Sequence, residues 1–525
     1  MHGTKPSEDL QLAEILGALS LATDLVNGQQ PETALRCTIL AVQLARARNE
    51  PQVVLEDIYW TGLLRFIGCS GFAVEEAPLA AGDDIGLRQV FMRIDMGKPS
   101  KLVGAVVFEL GRAAPIPQRA RSVARFLSSP ALPMQHAWAQ CDAAQYFARK
   151  MGMSKAVVDA LAQVDERFDG NGLPLGLKGE QIALPLRYVE LARVAVVSQL
   201  GNGTLAALDE VGKRSGGAID PLLSKDFLAH AVQWCQAVAV DSVWEAFLAC
   251  EPGRRTVRDA ELDALYEAFA QFSDLKSAYT LGHSTGVARL AEAAAEMQGL
   301  KLADRKLLRH AALLHDLGRV SVNTSIWDKP GALNVAEWER VRLHAYYTDR
   351  VLRRSPELSQ LAAVAGRAHE RLDGSGYFRG DAAAALDRLA RLLACADQYH
   401  ACTEHRAHRP AMSASAAAAE LRESGERGKL CKQAVQAVLA AAGERTRQPA
   451  AQFGALSERE VEVINLIAIG LSNKEVGKRL GISPRTVQHH TIHIYDKIGV
   501  ASRAGAALYA SEHGLLRPTP GGSWN

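Results

Sequence analysis

Ala311-Ala312-Leu313-Leu314-His315-Asp316-Leu317-Gly318-Arg319 ends an apolar helical run on an adjacent histidine and aspartate. Helical spacing sets Leu308, Ala311, Ala312, His315 and Arg319 on one stripe. A stripe of that composition faces a core, where an imidazole and a carboxylate lose hydration at a cost of kilocalories unless they find partners. A lone core histidine is ordinarily satisfied by a hydrogen bond, so the stretch takes its meaning from what surrounds it. A divalent cation is the partner that uses both groups, because neutral imidazole and carboxylate together suit zinc, iron or manganese.

Working outward, the same region supplies His283, His344, His369 and Asp397, each expected on its own helix and on that helix's apolar stripe. His283 is in line with Val287, Leu290, Ala291 and Ala294, and His344 with Val341, Thr348 and Leu352. His369 follows Leu358, Leu361, Ala362 and Ala365, while Asp397 follows Leu386, Leu389, Ala390 and Leu393. Ionisable groups converging on one small core would be ruinous if unpaired, and a shared metal cluster resolves all of them together.

The stretch also has an echo. Shifted by 250 positions, Leu63, Leu64 and Gly68 match Leu313, Leu314 and Gly318, with Arg65-Phe66 where the later copy has His315-Asp316. A second echo pairs Asp165-Glu166-Arg167-Phe168-Asp169-Gly170-Asn171-Gly172 with His369-Glu370-Arg371-Leu372-Asp373-Gly374-Ser375-Gly376 at an offset of 204. Beyond it, Val196 falls about where the later copy has Asp397. Two related helical modules therefore stand in tandem, the first without its metal-binding groups. The first carries some 46 extra residues between its echoes, including the Pro-containing region from 113 to 133, which fits a lid, a partner surface or a long loop. Residues 201 to 225, rich in Gly and Ser, read as a loop.

At 525 residues the chain holds two to four domains. With 48% apolar and 22% charged residues it is a soluble globular chain rather than a disordered or membrane one. A net charge of +2 leaves nucleic-acid contact to a local patch. Eight cysteines without a CxxC pair suggest neither a disulfide framework nor a zinc ribbon, and suit a reducing cytosol. The opening Met1-His2-Gly3-Thr4-Lys5-Pro6-Ser7 lacks a signal-peptide pattern, and no apolar run reaches the roughly 20 residues a membrane span needs. Plentiful alanine and a period near 3.6 make the chain all-α.

Residues 270 to 440 resemble the HD-GYP branch of the HD-domain metal-dependent phosphohydrolases. The motifs that carry this are Gly282-His283-Ser284, Leu314-His315-Asp316-Leu317-Gly318, Lys329-Pro330-Gly331-Ala332-Leu333, Glu337-Trp338, His369 to Tyr377, Ala396-Asp397 and Arg409-Pro410-Ala411. The resemblance implies a metal centre that cleaves phosphodiesters, chiefly cyclic di-GMP. It also implies a first divalent metal, iron, manganese or similar, on His283, His315, Asp316 and Asp397. Asp316 would bridge to a second metal that His344 and His369 help to bind, and Arg319, where the family usually has Lys, would meet the phosphate. Three positions depart from the pattern: Ala368 replaces one of two adjacent histidines, Phe378 replaces the proline of GYP, and Tyr279 replaces an acidic residue linked to a third metal. The first metal site is therefore expected well formed and the second weakened, which leaves an active hydrolase and a metal- or nucleotide-binding sensor both open.

Toward the carboxyl end, Ser457 with Glu460 three residues on reads as a capping box opening a helix. Gly470 to Leu480 forms a second capped helix, and Ser483-Pro484 starts a third. Two short helices joined by a tight turn, the later one polar, have the geometry that enters a DNA major groove. Residues 456 to 515 resemble the LuxR-type helix-turn-helix. That resemblance implies that Thr486, Gln488, His489 and His490 face base edges or nearby phosphates, and that Lys474, Arg485, Lys497 and Arg503 bind the backbone. The expected organisation is a degenerate HD-like module at 1–255, an HD-GYP-like module at 256–443, a linker at 444–455 and a small four-helix DNA-binding domain at 456–525. The whole reads as a cytoplasmic regulator, homodimeric on DNA, whose metal cleft takes cyclic di-GMP or another nucleotide.

Overall fold

The computed structural model describes residues 10–112, 114–445 and 456–516. Met1–Ser7 and most of the expected linker lie outside them. Nearly all of the regular secondary structure among the described residues is helical, as the alanine content and apolar periodicity require. Among the described residues the one sheet pairs Leu10–Gln11 antiparallel with Thr256–Val257. No described helix is long and apolar enough to cross a membrane. All eight cysteines are free and seven are buried.

The chain divides into two compact units between Leu265 and Tyr266, inside the helix Asp259–Asp274. In the first unit the helices Leu12–Val26, Thr33–Ala47, Gln52–Leu64, Leu132–Lys150 and Leu184–Asn202 pack around Leu16, Tyr59, Phe147 and Tyr188, all fully buried. The extra residues of this unit form packed helices, Asp84–Arg93, Pro99–Phe108 and Ile116–Leu127. Ala80, Leu87, Val106 and Leu110 give them a small core flanked by Phe91, Leu102 and Phe126. The loop expected at 201–225 is instead largely helical, over Thr204–Arg214 and from Pro221 onward. Ala207 and Val211, one turn apart and both fully buried, outweigh the glycines around them.

In the second unit His283–Met297, Leu302–Leu314, Val335–Leu352 and Arg388–Thr403 are the main helices of its first part. Among the described residues its last part has four: Glu458–Ala468, Asn473–Leu480, Pro484–Ile498 and Arg503–Glu512. Ser457, Ser472 and Ser483 each accept a backbone N–H at the start of the first three, which supplies the caps read from sequence. Val463, Ile464, Val476, Val487, Ile494 and Ala506 close the small core between them.

The two units repeat local geometry at both sequence offsets. Asp24 accepts from the Ala34 N–H at 3.1 Å, and Asp274 from Ser284 at 3.0 Å. A Cβ on Gly68 would lie 2.1 Å from the Gln140 carbonyl, and one on Gly318 the same distance from His344. Glycine is required there because two backbones touch. Glu166 accepts from the Leu175 N–H at 2.6 Å, and Glu370 from Arg379 at 2.7 Å. Carried through the next helix, the offset of 204 brings Arg193, not Val196, opposite Asp397. Val196 is 1% exposed in the apolar core, whereas Arg193 faces Glu190.

Candidate metal centre

The apolar helix stops at Leu314, one residue before His315, and Leu317–Ser321 continues as a 3-10 turn. Arg319 therefore does not extend the α-helical stripe. The Gly318 N–H donates to Thr348 Oγ1 at 2.9 Å, and that hydroxyl donates to the His315 carbonyl at 3.1 Å. These bonds capture backbone groups that the ended helix leaves open, and they turn Asp316 inward. His283 is the first residue of its helix, after Gly282 at φ 78°. His344 and Asp397 lie mid-helix. His369, expected on a helix, sits in the turn beyond Ser359–Ala365.

These elements bring the six side chains together. Asp316 stands between two histidine pairs: its Oδ2 is 3.5 Å from His283 Nε2 and 3.3 Å from His315 Nε2. Its Oδ1 is 3.2 Å from His344 Nε2 and 3.3 Å from His369 Nε2. Asp397 closes the first pair, with Oδ1 3.3 Å from His283 Nε2 and 3.7 Å from His315 Nε2. Its Oδ2 lies 3.3 Å from His369 Nδ1. Asp316, His283 and His315 are completely buried.

The donor set fits a cation. His283 Nδ1 faces Glu404 Oε2 at 2.8 Å, and His315 Nδ1 donates to the Ala312 carbonyl at 2.7 Å. With Nδ1 carrying the proton, each Nε2 is left as a lone pair. Both Nε2 atoms are buried without a hydrogen-bond partner among the described residues. A pair of buried lone pairs aimed at two carboxylates is costly unless a positive charge sits among them. Electrostatics point the same way. Burial would raise the Asp316 pKa, yet Arg319 and His315 outweigh it and hold the carboxyl well below its usual range. Asp397 is likewise held well below by His283, His315 and His369 against the effect of burial. Burial alone would depress His315, but Asp316 and Asp397 push it well above the ordinary imidazole value. The carboxylates that raise His315 are the groups a cation would meet when the imidazoles are neutral.

Three contributors were not legible as site residues. Glu404 orients His283 and is itself paired with Arg406 at 2.8 Å. Asp274 accepts from Ser284 Oγ at 2.7 Å, and burial raises its pKa to about 6. Tyr377 stacks on His369 with ring centroids 5.1 Å apart. Tyr377 lay within the motif His369 to Tyr377 and Asp274 at an offset of 250 from Asp24, whereas Glu404 left no trace in the sequence. Glu404→Gln keeps the shape but removes the charge behind His283. Its expected effect is metal affinity about tenfold weaker, as for other outer partners of ligating histidines. Calorimetric metal titration of the full chain checks this, and unchanged affinity would remove Glu404 from the site.

Residues 267–430 match the HD domain family model, and residues 454–510 match the bacterial regulatory proteins of the luxR family. A 3′3′-cGAMP-specific phosphodiesterase of Vibrio cholerae is 32% identical over 406 residues, covering 76% of this chain and 88% of that protein. The chain belongs to the HD-GYP-type phosphodiesterase family. A crystal structure of a cyclic GMP-AMP specific phosphodiesterase from V. cholerae aligns with a TM-score of 0.57 at 27% identity, over 84% of this chain and 99% of that one. A cyclic di-GMP phosphodiesterase of Pseudomonas aeruginosa is 38% identical over 135 residues, 25% of this chain and 32% of its own. This family member is a regulator that joins an HD-GYP-type phosphohydrolase module to a luxR-type helix-turn-helix domain. HD domains of this kind are metal-dependent, and the luxR domain binds DNA.

Within this HD-GYP-type chain, Ala368 is fully buried beside His369 and offers no donor. Phe378 meets Tyr346 edge-on at 5.5 Å, with the Arg379 guanidinium 4.6 Å above its ring. Arg319 pairs with Asp316 and lies 4.7 Å over the Trp327 ring. In the helix-turn-helix domain Lys474, Arg485, Thr486, Gln488 and His489 are exposed and His490 is half-buried. Lys497 is ion-paired with Glu460 at 2.8 Å, and Arg503 donates to the Leu471 carbonyl at 2.7 Å. These last two hold the domain together within the chain, which distinguishes them from the open Lys474 and Arg485.

Proposed function

We propose that this protein is a metal-dependent phosphodiesterase acting on a 3′,3′-linked cyclic dinucleotide, and that occupancy of its metal cleft biases DNA binding. The observation that carries the reading is Asp316 with one carboxylate oxygen toward each of two histidine pairs. His283, His315, Asp316 and Asp397 would hold one metal, and Asp316, His344 and His369 a second. A divalent cation there supplies Lewis acidity toward a phosphoryl oxygen and toward water. Asp316 orients both histidine pairs, and Arg319 brings a fixed positive fork to the phosphate side of Asp316. Glu404 and the Ala312 carbonyl keep the ligating nitrogens in one tautomer.

In this reading residues 1–255 are a degenerate HD-like module, 256–443 the HD-GYP-like module, 444–455 a linker and 456–525 the DNA-binding domain. The shared hydrogen bonds at Asp24 and Asp274 and the shared close approaches at Gly68 and Gly318 support the first two assignments. The substrate class comes from the relatives, so 3′3′-cGAMP is the first nucleotide to test and cyclic di-GMP the second. Protein loaded with manganese or iron is expected to linearise one of them, with the product resolved by chromatography. Failure on both nucleotides, with metal bound, would end the enzyme reading.

The buried Ala368 favours a second reading, a sensor that binds nucleotide with little turnover because its second metal is poorly held. In that case nucleotide binds without cleavage, and Ala368→His creates activity. Either way DNA affinity should depend on metal and nucleotide, since a ligand shifts only an equilibrium whose two states it distinguishes. Equal operator affinity with and without both would refute the coupling.

On DNA, Thr486, Gln488, His489 and His490 would face base edges or nearby phosphates, and Lys474, Arg485, Lys497 and Arg503 the backbone, in a homodimer on paired half-sites. Arg485→Ala is expected to weaken binding uniformly across sequences and lower the salt slope by about 1. Gln488→Ala should cost about 1–3 kcal/mol at one base position and relax preference there. Titration by fluorescence anisotropy across salt concentrations separates the two, and identical behaviour of both variants would contradict the assignment.

A further inference from the structure

The helices that the first unit carries in addition are accounted for on their inner side. There Phe91, Leu102 and Phe126 pack on the small core and line a cavity of about 270 Å³. The outer side is different. On Pro99–Phe108, Val103 and Val107 are one turn apart and exposed, Phe108 is 68% exposed, and a Cβ built on Gly104 would meet nothing within 4 Å. On Ile116–Leu127, the exposed Ile116, Ala120, Ala124 and Leu127 fall at helical spacing on one stripe, with Ile116 83% and Leu127 53% open. Arg119 donates to the Val107 and Phe108 carbonyls at 2.8 and 2.9 Å, so the two stripes stand on adjoining helices. Single exposed apolar side chains are ordinary, but stripes on adjoining helices mark a surface that something covers.

Charge narrows what covers it. Residues 96 to 135 carry six lysines and arginines against Glu109 alone, a net +5 where the whole chain has +2. Glu109 pairs with Arg112 at 2.9 Å, and Asp95, just before the segment, lies 4.0 Å from Lys98. Lys101, Arg121 and Arg125 are exposed and have no carboxylate partner among the described residues. Arg119 and Arg121 donate to backbone carbonyls, which leaves their charge unbalanced. Arg121 and Arg125 are one turn apart and run beside the Ile116 stripe.

A second copy of the chain fits poorly, because a two-fold contact would set this face against itself and bring unbalanced like charges together. A nucleic-acid backbone would take the cations and leave both apolar stripes in water. An anionic bilayer takes both, with cations over its headgroups and aliphatic side chains at the acyl boundary.

We propose that the outer face of Pro99–Phe108 and Ile116–Leu127 binds an anionic lipid surface, and so holds this DNA-binding regulator on a membrane that it does not span. This face is independent of the phosphodiesterase reading, because it uses no residue of the metal centre. Flotation of the full chain with vesicles tests it, one set of phosphatidylglycerol and phosphatidylcholine in equal parts and one of phosphatidylcholine alone. Binding to the first set is expected to be at least about tenfold tighter, and to weaken as salt rises. Arg121→Gln combined with Arg125→Gln should weaken it at least about tenfold, since each cation near such a surface contributes about fivefold. Phe108→Ser combined with Ile116→Ser should weaken it by about tenfold or more through the lost apolar burial. Both double variants alter exposed side chains only, and their circular-dichroism melts should match wild type. No binding to the anionic vesicles, equal binding to the two sets, or wild-type binding by either double variant would overturn the proposal. Random-sequence duplex DNA held less tightly by the arginine variant, with vesicle binding unchanged, would assign the face to nucleic acid instead.

Discussion

Asp316→Ala is expected to lower phosphodiester cleavage by on the order of a thousandfold or more, equivalent to about 4 kcal/mol of barrier, and to strip metal from the protein. The expectation follows from position. Among the described residues Asp316 is the one side chain that meets His283, His315, His344 and His369 together, at 3.2 to 3.5 Å. Removing it leaves four imidazoles without their shared carboxylate and frees Arg319, whose charge Asp316 now balances. Metal that these residues would hold in common would lose its shared carboxylate, and with it the Lewis acidity it would supply toward water and the phosphoryl group. Metal content by elemental analysis and product formation on 3′3′-cGAMP and cyclic di-GMP give two separate readouts. A variant that keeps metal and turnover would show that the convergence of these side chains is structural only.

Glu190→Ala should destabilise the chain by about 3–5 kcal/mol, the usual cost of removing one partner from a buried ion pair. Two guanidiniums depend on this carboxylate, Arg65 at 2.9 Å and Arg193 at 2.5 Å, and all three residues are buried. Burial would raise the Glu190 pKa, but Arg193 and Arg65 outweigh it and lower it from 4.5 to about 2. A folded-state pKa below the unfolded value means that the proton favours unfolding. The contribution is therefore complete above pH about 4.5 and disappears as the pH falls toward about 2. Melting of the full chain across that window is expected to show the loss in wild type and a flatter profile in Glu190→Gln. Equal midpoints for wild type and Glu190→Ala at neutral pH would mean that Arg65 and Arg193 find other partners.

The cluster of the candidate metal centre was legible because it uses residue types that apolar stripes otherwise exclude. Histidines and aspartates at 283, 315, 316, 344, 369 and 397 stand out against alanine and leucine, and the physical cost of burying them points to a common partner. Glu404 was not legible, because a glutamate near a helix end is ordinary until its contact with His283 Nδ1 is seen. The alignment of Val196, rather than Arg193, with Asp397 had a different origin. An arginine on an apolar helix looks like a surface residue, and only its ion pair with Glu190 shows that it faces inward. The stretch from 201 to 225 misled for a third reason, since glycine content argues for a loop locally while burial of Ala207 and Val211 against neighbouring helices pays for a helix.

Composition, periodicity and motif spacing alone determined that the chain is all-α, that a repeat runs through it, and that a helix-turn-helix closes it. These are local properties, carried by backbone propensity, apolar period and capping residues within a few turns. Tertiary structure decided which carboxylate oxygen faces which histidine, which lysines and arginines of the helix-turn-helix domain are already engaged, and that the additional helices wall a cavity. Those outcomes depend on where side chains from distant segments meet, through Coulomb and packing terms that fall off over a few ångströms of space, and sequence separation carries no measure of that distance.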